Sequence, residues 1–285
     1  MVAVLGFVSA VLFGASDFFG GLAAKRAPAI AVAGSANVVA AAVVAVAVAA
    51  TGPIWSSSAV LWGIVAGVGG AIGTAGLYAV LAIGPMSVLS PTVAALYALL
   101  PAAVGIALGE RLAPLGYAAL VVVFVAGMLL AVTRETGGAR VRPRVLALAV
   151  VAGVGFAGYI IAIDRAPDAS GLIPLLVELV VGALLFVPLV LAREMRSPGS
   201  VTGALRTQSV LMQILGCGVL MAVGTILLVL GLQLGDLAVM SVLNSLYPLG
   251  TVALAMIVLR ERLTAVQGIG IVLALAGSIT IGLSA

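Results

Sequence analysis

The chain contains no histidine. That absence removes a Ser-His-Asp triad, a haem histidine and a histidine zinc site. Charge is nearly as scarce: 13 basic and 9 acidic residues in 285, or 8%. Soluble globular chains carry roughly 25% charged residues. So little charge cannot cover the surface of a soluble protein this long. A soluble enzyme, a nucleic-acid-binding protein and a disordered chain are thereby excluded. The net charge of +4 is no nucleic-acid footprint, because the basic residues sit in short loops rather than on one face. Cysteine is reduced to Cys217, inside an apolar run, so no intramolecular disulfide can form.

What remains is apolar: 64% of the residues, with a mean hydropathy of +1.38. A membrane-spanning helix needs about 20 mostly apolar residues. Ten runs approach or exceed that length. They are Val2–Ala24, Ala29–Ala50, Ala59–Leu81, Met86–Leu108 and Leu115–Val132, then Val145–Ile163, Leu172–Ala192, Val210–Leu232, Leu237–Leu259 and Ala265–Leu283. Period-two alternation, the mark of a transmembrane barrel, is not seen in them. No basic residue precedes the first run, which is also longer than the apolar core of a signal peptide, so it is expected to stay as a span. Glycine recurs within spans, as at Gly63, Gly67, Gly70, Gly73 and Gly76, where small residues let membrane helices approach closely. Pro91, Pro101, Pro174, Pro188 and Pro248 each remove a backbone donor inside a span.

The chain repeats itself. Gly109-Glu110-Arg111-Leu112 recurs as Arg260-Glu261-Arg262-Leu263, an offset of 151 residues. The same offset pairs Gly84 with Gly235, Val88 with Val239 and Ser90 with Ser241. Arg26-Ala27-Pro28 is echoed by Arg165-Ala166-Pro167, each after the first span of its half. Residues 1–135 therefore read as one half and 145–285 as the other, joined by a basic linker, 136–144, in the arginine-rich stretch Arg134–Arg144. Five spans per half is an odd number, so the second half must enter the membrane from the opposite side. The expected fold is an all-α integral membrane protein with ten transmembrane helices in two inverted five-helix repeats. Such repeats are characteristic of secondary transporters, whose site lies near the midplane between the halves.

At this point the residues resemble the EamA branch of the drug/metabolite transporter superfamily. The likeness covers essentially the whole chain. It is carried by the two Glu-Arg-Leu turns with their following spans, and by the first-span stretch Phe13-Gly14-Ala15-Ser16-Asp17-Phe18-Phe19-Gly20-Gly21. It implies secondary transport of a small organic metabolite across the cell membrane, commonly export, driven by a proton or sodium gradient. It implies no cofactor and no nucleic-acid partner. The family's usual arginine near the second span is missing, and Asn37 lies in that region.

An ionisable residue inside a span is expensive and marks a functional site by default. Asp17 and Glu178 qualify. Each sits about 6 Å from the midplane at 1.5 Å per residue, on opposite sides. Asp17 has Gly14, Gly20 and Gly21 among its helical neighbours, and Glu178 has Gly182. Either carboxylate could bind a proton or cation in alternation with substrate, or could simply be hydrogen-bonded within the bundle. Asn37, Tyr78, Ser90, Tyr97, Ser241, Asn244 and Tyr247 are polar candidates for binding a solute, or for bonding between helices instead. Glu110 and Glu261 lie in tight turns beside arginines, and Pro114 suits the first turn of the fifth helix, so those acids read as structural. Two rival readings are an intramembrane enzyme with Asp17 and Glu178 as an acid/base pair, and a non-transporting scaffold. About 12 Å along the membrane normal between the two acids weighs against the first. Short loops weigh against the second.

Basic residues set the orientation. With the N-terminus outside, the inner loops hold 11 of them and the outer loops only Arg111 and Arg165. Both termini are therefore expected outside and the linker inside. In a variant lacking Cys217, single cysteines at the termini should react with an impermeant thiol reagent in intact cells, and cysteines in the linker should not. The reverse pattern would refute the orientation.

Overall fold

Hydrocarbon offers no partner to a backbone amide, so an apolar run in a membrane closes its hydrogen bonds within itself as a helix. The computed structural model follows that rule. It describes residues 1–52, 54–83, 86–130, 143–248, 250, 251, 254, 258 and 265–284. Of these, 86% are helical and none lies in a strand. The first half holds α1 (Val2–Ala24), α2 (Ala29–Thr51), α3 (Ser57–Ile83), α4 (Met86–Ala107) and α5 (Pro114–Leu130). The second holds α6 (Pro143–Asp164), α7 (Ile173–Arg196), the short α8 (Thr202–Leu205), α9 (Gln208–Leu234), α10 (Leu237–Asn244) and α11 (Ala265–Ser284). Six of them, α1, α2, α3, α6, α7 and α9, are long and apolar enough to cross a membrane. Shorter apolar stretches run through Leu96–Ala107, Pro114–Ala126 and Gly268–Gly277. The Arg134–Arg144 stretch lies outside the described residues except at its end, and Glu261 lies outside them altogether.

One expected span differs. Leu237–Leu259 reads as a single run, but α10 stops at Asn244 and a turn follows over Ser245–Tyr247 before helix resumes at Pro248. Pro248 has no N–H to give the Asn244 carbonyl. That carbonyl instead accepts from the Tyr247 amide, and the Leu243 carbonyl from the Leu246 amide, both at 3.1 Å. These tighter i→i+3 bonds interrupt the ladder and mark the break.

Helices of one half pack chiefly against helices of the other. Extensive faces join α1 to α9, α3 to α6, α3 to α7, α2 to α7, α2 to α9, α4 to α6, α4 to α10 and α5 to α11. Glycine permits the closest crossings. A Cβ on Gly155 of α6 would meet the Gly73 amide at 2.8 Å and the Gly69 carbonyl at 2.9 Å, both on α3. Hydroxyls fasten α1 to α9, where Ser9 donates to the Gly224 carbonyl at 2.8 Å and Ser16 to the Cys217 carbonyl at 2.9 Å.

The two ends of the bundle are tied differently. At one end the Ser56 and Ser170 hydroxyls meet at 3.1 Å. At that end too, Glu110 reaches across to α10. Its Oε1 accepts from the Leu237 amide and its Oε2 from the Ala238 amide, each at 2.9 Å. The residue at the N-cap itself, Asp236, makes no capping bond. Glu110 is therefore structural, as its turn suggested, but it serves a helix of the other half as well as its own hairpin. Gly105 makes room for it, since a Cβ there would collide with the carboxylate. At the other end Arg26 donates to the Ser209 hydroxyl at 3.0 Å. Glu194 gathers the 199–202 loop there, accepting from the Gly199 and Val201 amides at 2.8 Å.

Losing a helix N-cap acceptor costs about 0.5–2 kcal/mol. Glu110→Ala should therefore lower the unfolding midpoint of the purified protein in micelles, and Glu110→Gln, which keeps one acceptor oxygen, should lower it less. Equal midpoints for wild type and Glu110→Ala would remove the cap from the account of stability.

Candidate functional site

Asp17 owes its place to a backbone contact one turn earlier. A Cβ on Gly14 would collide with the Tyr247 carbonyl, and would come within 2.8 Å of the Thr251 amide and 2.9 Å of the Gly250 Cα. A Cβ on Gly250 would in turn collide with the Val11 carbonyl. The Thr251 hydroxyl donates to the Gly14 carbonyl at 2.9 Å. Helix α1 thus lies directly on the break that follows α10, with Asp17 beside it.

Glu178 is placed from the other side. It is buried on α7, and its Oε1 would lie 2.9 Å from a Cβ on Gly70 of α3. Glycine at 70 leaves the carboxylate its room. Asn37 of α2 is held similarly: its Nδ2 would lie 2.6 Å from a Cβ on Gly182, one turn beyond Glu178.

These groups open on one cavity of about 100 Å³. Asp17, Asn37, Tyr97, Glu178, Asn244 and Tyr247 all line it. Asn244 donates through Nδ2 to the Tyr97 hydroxyl at 3.0 Å, which joins α10 to α4 across the halves. The amide is 1% exposed, and its Oδ1 finds no hydrogen-bond partner among the described residues. Tyr97 and Phe156 stack edge to face, with centroids 6.2 Å apart at 77°. No lysine or arginine lines the cavity, and no ion pair involves Asp17 or Glu178 among the described residues.

Ser241 stands back from this cavity's lining; its hydroxyl donates along its own helix to the Ala238 carbonyl at 3.1 Å and towards the Ala98 carbonyl at 3.4 Å. A short hydroxyl in a helix satisfies itself on a carbonyl one turn back, and Ser241 does so. The side chains of Tyr78 and Ser90 lie outside the described residues.

Sequence reasoning missed Tyr159, Thr74 and Thr225, which also line the cavity. Tyr159, Thr225 and Glu178 share the cavity wall. Gly155, one turn before Tyr159 and packed on α3, was the available signal that this face turns inward. Thr74 stands four residues beyond Gly70, on the same helix face.

Residues 143–283 match the model of the EamA-like transporter family, part of the drug/metabolite transporter superfamily. The chain belongs to that family through this half, and it is a multi-pass membrane protein. No curated protein matches it. A solved crystal structure superposes with a TM-score of 0.78, covering 99% of this chain and 96% of the other at 19% identity. At that identity the likeness speaks for the fold alone.

Tyr97→Phe keeps the ring but removes the acceptor for Asn244. A buried polar group left unpaired costs about 1–3 kcal/mol. The variant should unfold at a measurably lower temperature in micelles, while Asn244→Leu in the same background should restore part of the loss. A midpoint unchanged by Tyr97→Phe would show that the bond contributes nothing.

Proposed function

We infer that this protein is a secondary transporter that moves a small organic metabolite across the cell membrane by alternating access. The observation that carries the reading is the cavity between the halves, lined by two carboxylates to which no described cation is paired. Family membership supports transport over the intramembrane enzyme and the scaffold. Ten spans in two inverted repeats, 1–135 and 145–285 about the linker 136–144, form the working architecture. Helix pairing supports it. The first helix of each half packs on the third of the other, as α1 on α9 and α3 on α6, and the fifth helices pack together. That interchange is what a twofold axis in the membrane plane produces. The loop after α1 bonds to the α9 end of the bundle at Ser209, and the loop after α6 bonds to the opposite end at Ser56.

Export is the direction the family resemblance favours, with both termini outside and a proton or sodium gradient as the driving force. Asp17 is the coupling residue, since it sits against the break in the ninth span, where a shift of α1 reaches the cavity directly. Asp17→Asn keeps the size and most of the hydrogen bonding but cannot change charge. In liposomes with imposed proton or sodium gradients, the variant should fold, retain solute exchange and lose gradient-driven accumulation. Accumulation at the wild-type level would exclude Asp17 from coupling and leave Glu178 as the carboxylate to vary.

A further inference from the structure

The cavity wall has an unusual composition for this chain. Aromatic residues make up 5% of the sequence, yet Phe13, Phe156, Tyr97 and Tyr159 all stand around one space of about 100 Å³ with Asp17 and Glu178. An anion entering it would meet two carboxylates and, among the described residues, no lysine or arginine. A neutral solute would offer the carboxylates no countercharge, so they would have to take up protons rather than stay ionised away from water. A cation meets the reverse: acidic oxygens, and ring faces that attract positive charge within about 6 Å of their centres.

A second feature points the same way. The Asn244 amide gives one of its two N–H groups to the Tyr97 hydroxyl, and its Oδ1, almost fully buried, has no partner among the described residues. That oxygen can accept from a ligand. Glycines at 70 and 182 keep the Glu178 and Asn37 heads against the helix backbones rather than filling the space. The rings, the two carboxylates and the lone acceptor oxygen therefore converge on a donor-rich, positively charged head.

We propose that the cavity binds a small organic ammonium ion, its charge held at Asp17 or Glu178 and its apolar part against the aromatic rings. The assignment of that ion as cargo rests on the transport reading; the binding itself does not. Exchange of such a cation for the coupling proton or sodium at the same carboxylates would make the two mutually exclusive.

Matched probes test it on purified protein in lipid nanodiscs, with heats from empty nanodiscs subtracted. n-Butylammonium and choline should bind saturably. Their neutral counterparts 1-butanol and 3,3-dimethyl-1-butanol, and the anion butyrate, should bind at least about tenfold more weakly or not at all. Asp17→Asn combined with Glu178→Gln should weaken the cations by at least about tenfold, at a melting temperature showing the fold intact. Should that variant fail to fold, the probe series on the wild type decides alone. Equal binding of neutral or anionic probes overturns the proposal, as does absence of binding by both cations. Saturable cation binding without flux into liposomes under any gradient upholds the site and refutes the transport reading. Flux of neutral or anionic metabolites without cation binding does the opposite.

Discussion

Two helices can reach backbone contact only where neither carries a side chain at the crossing, and the candidate site depends on one such place. Gly14 and Gly250 put α1 against the segment that resumes after Tyr247. A methyl group on Gly14 would occupy the position of the Tyr247 carbonyl, so the helices would have to part. Parting them would carry Asp17 away from Tyr247 and Asn244 together. In a membrane, with lipid as apolar as the helices themselves, van der Waals contact of this kind is the main attraction between spans. The glycine abundance of the chain is therefore a packing device that also positions chemistry. Gly70 and Gly182 repeat the arrangement for Glu178 and Asn37.

The same contact joins the halves. In a single-layer bundle each half would bury its own helices, and little would change at the centre when the halves rocked. Here α1 lies on α9 and α6 on α3, so the cavity walls come from both halves at once. Asn244 and Tyr97 cross the seam inside it. Glu110 crosses it at one end, tying the α4–α5 turn to the first turn of α10. Relative movement of the halves must act on the cavity and on that cap together.

Much of this was legible before the structure, for a physical reason. Helices in lipid need no partner to satisfy their backbone, so length and hydropathy locate them. The observed ends of α3, α6, α7 and α9 fall within four residues of the apolar runs. What hydropathy cannot report is a break inside a run that is apolar on average. Asn244, Ser245 and Tyr247 at the break do not lower the mean hydropathy of Leu237–Leu259 enough to end it, and Pro248 alone does not distinguish a kink from a stop, since Pro188 sits inside a continuous α7. Nor can hydropathy pair residues across the bundle. The Glu-Arg-Leu repeat marked Glu110 as structural, but nothing local pointed to α10, 127 residues away. Asp17, Asn37 and Glu178 stood out because charge and amides are rare in spans. Thr225 did not, because hydroxyls are common there; Tyr159 is one of only five tyrosines, and composition does not show which of them turn inward.

The hydroxyls explain why so few polar side chains are left to serve a solute. Ser9, Ser16, Ser241, Ser245, Thr225 and Thr251 each give their proton to a backbone carbonyl. Such bonds cost a short side chain little and leave it no strong donor for a ligand. Groups that cannot fold back onto their own helix so easily are the longer ones: the carboxylates of Asp17 and Glu178, the amides of Asn37 and Asn244, and the phenols. Those groups converge on the cavity together with Ser16, Thr74 and Thr225, of which Ser16 and Thr225 have already given their protons to carbonyls. The division follows from side-chain length. In a span, a short polar residue is absorbed by the backbone, and a longer one either finds a partner on another helix, as Asn244 Nδ2 does with Tyr97, or keeps an atom unpaired among the described residues, as Asn244 Oδ1 does.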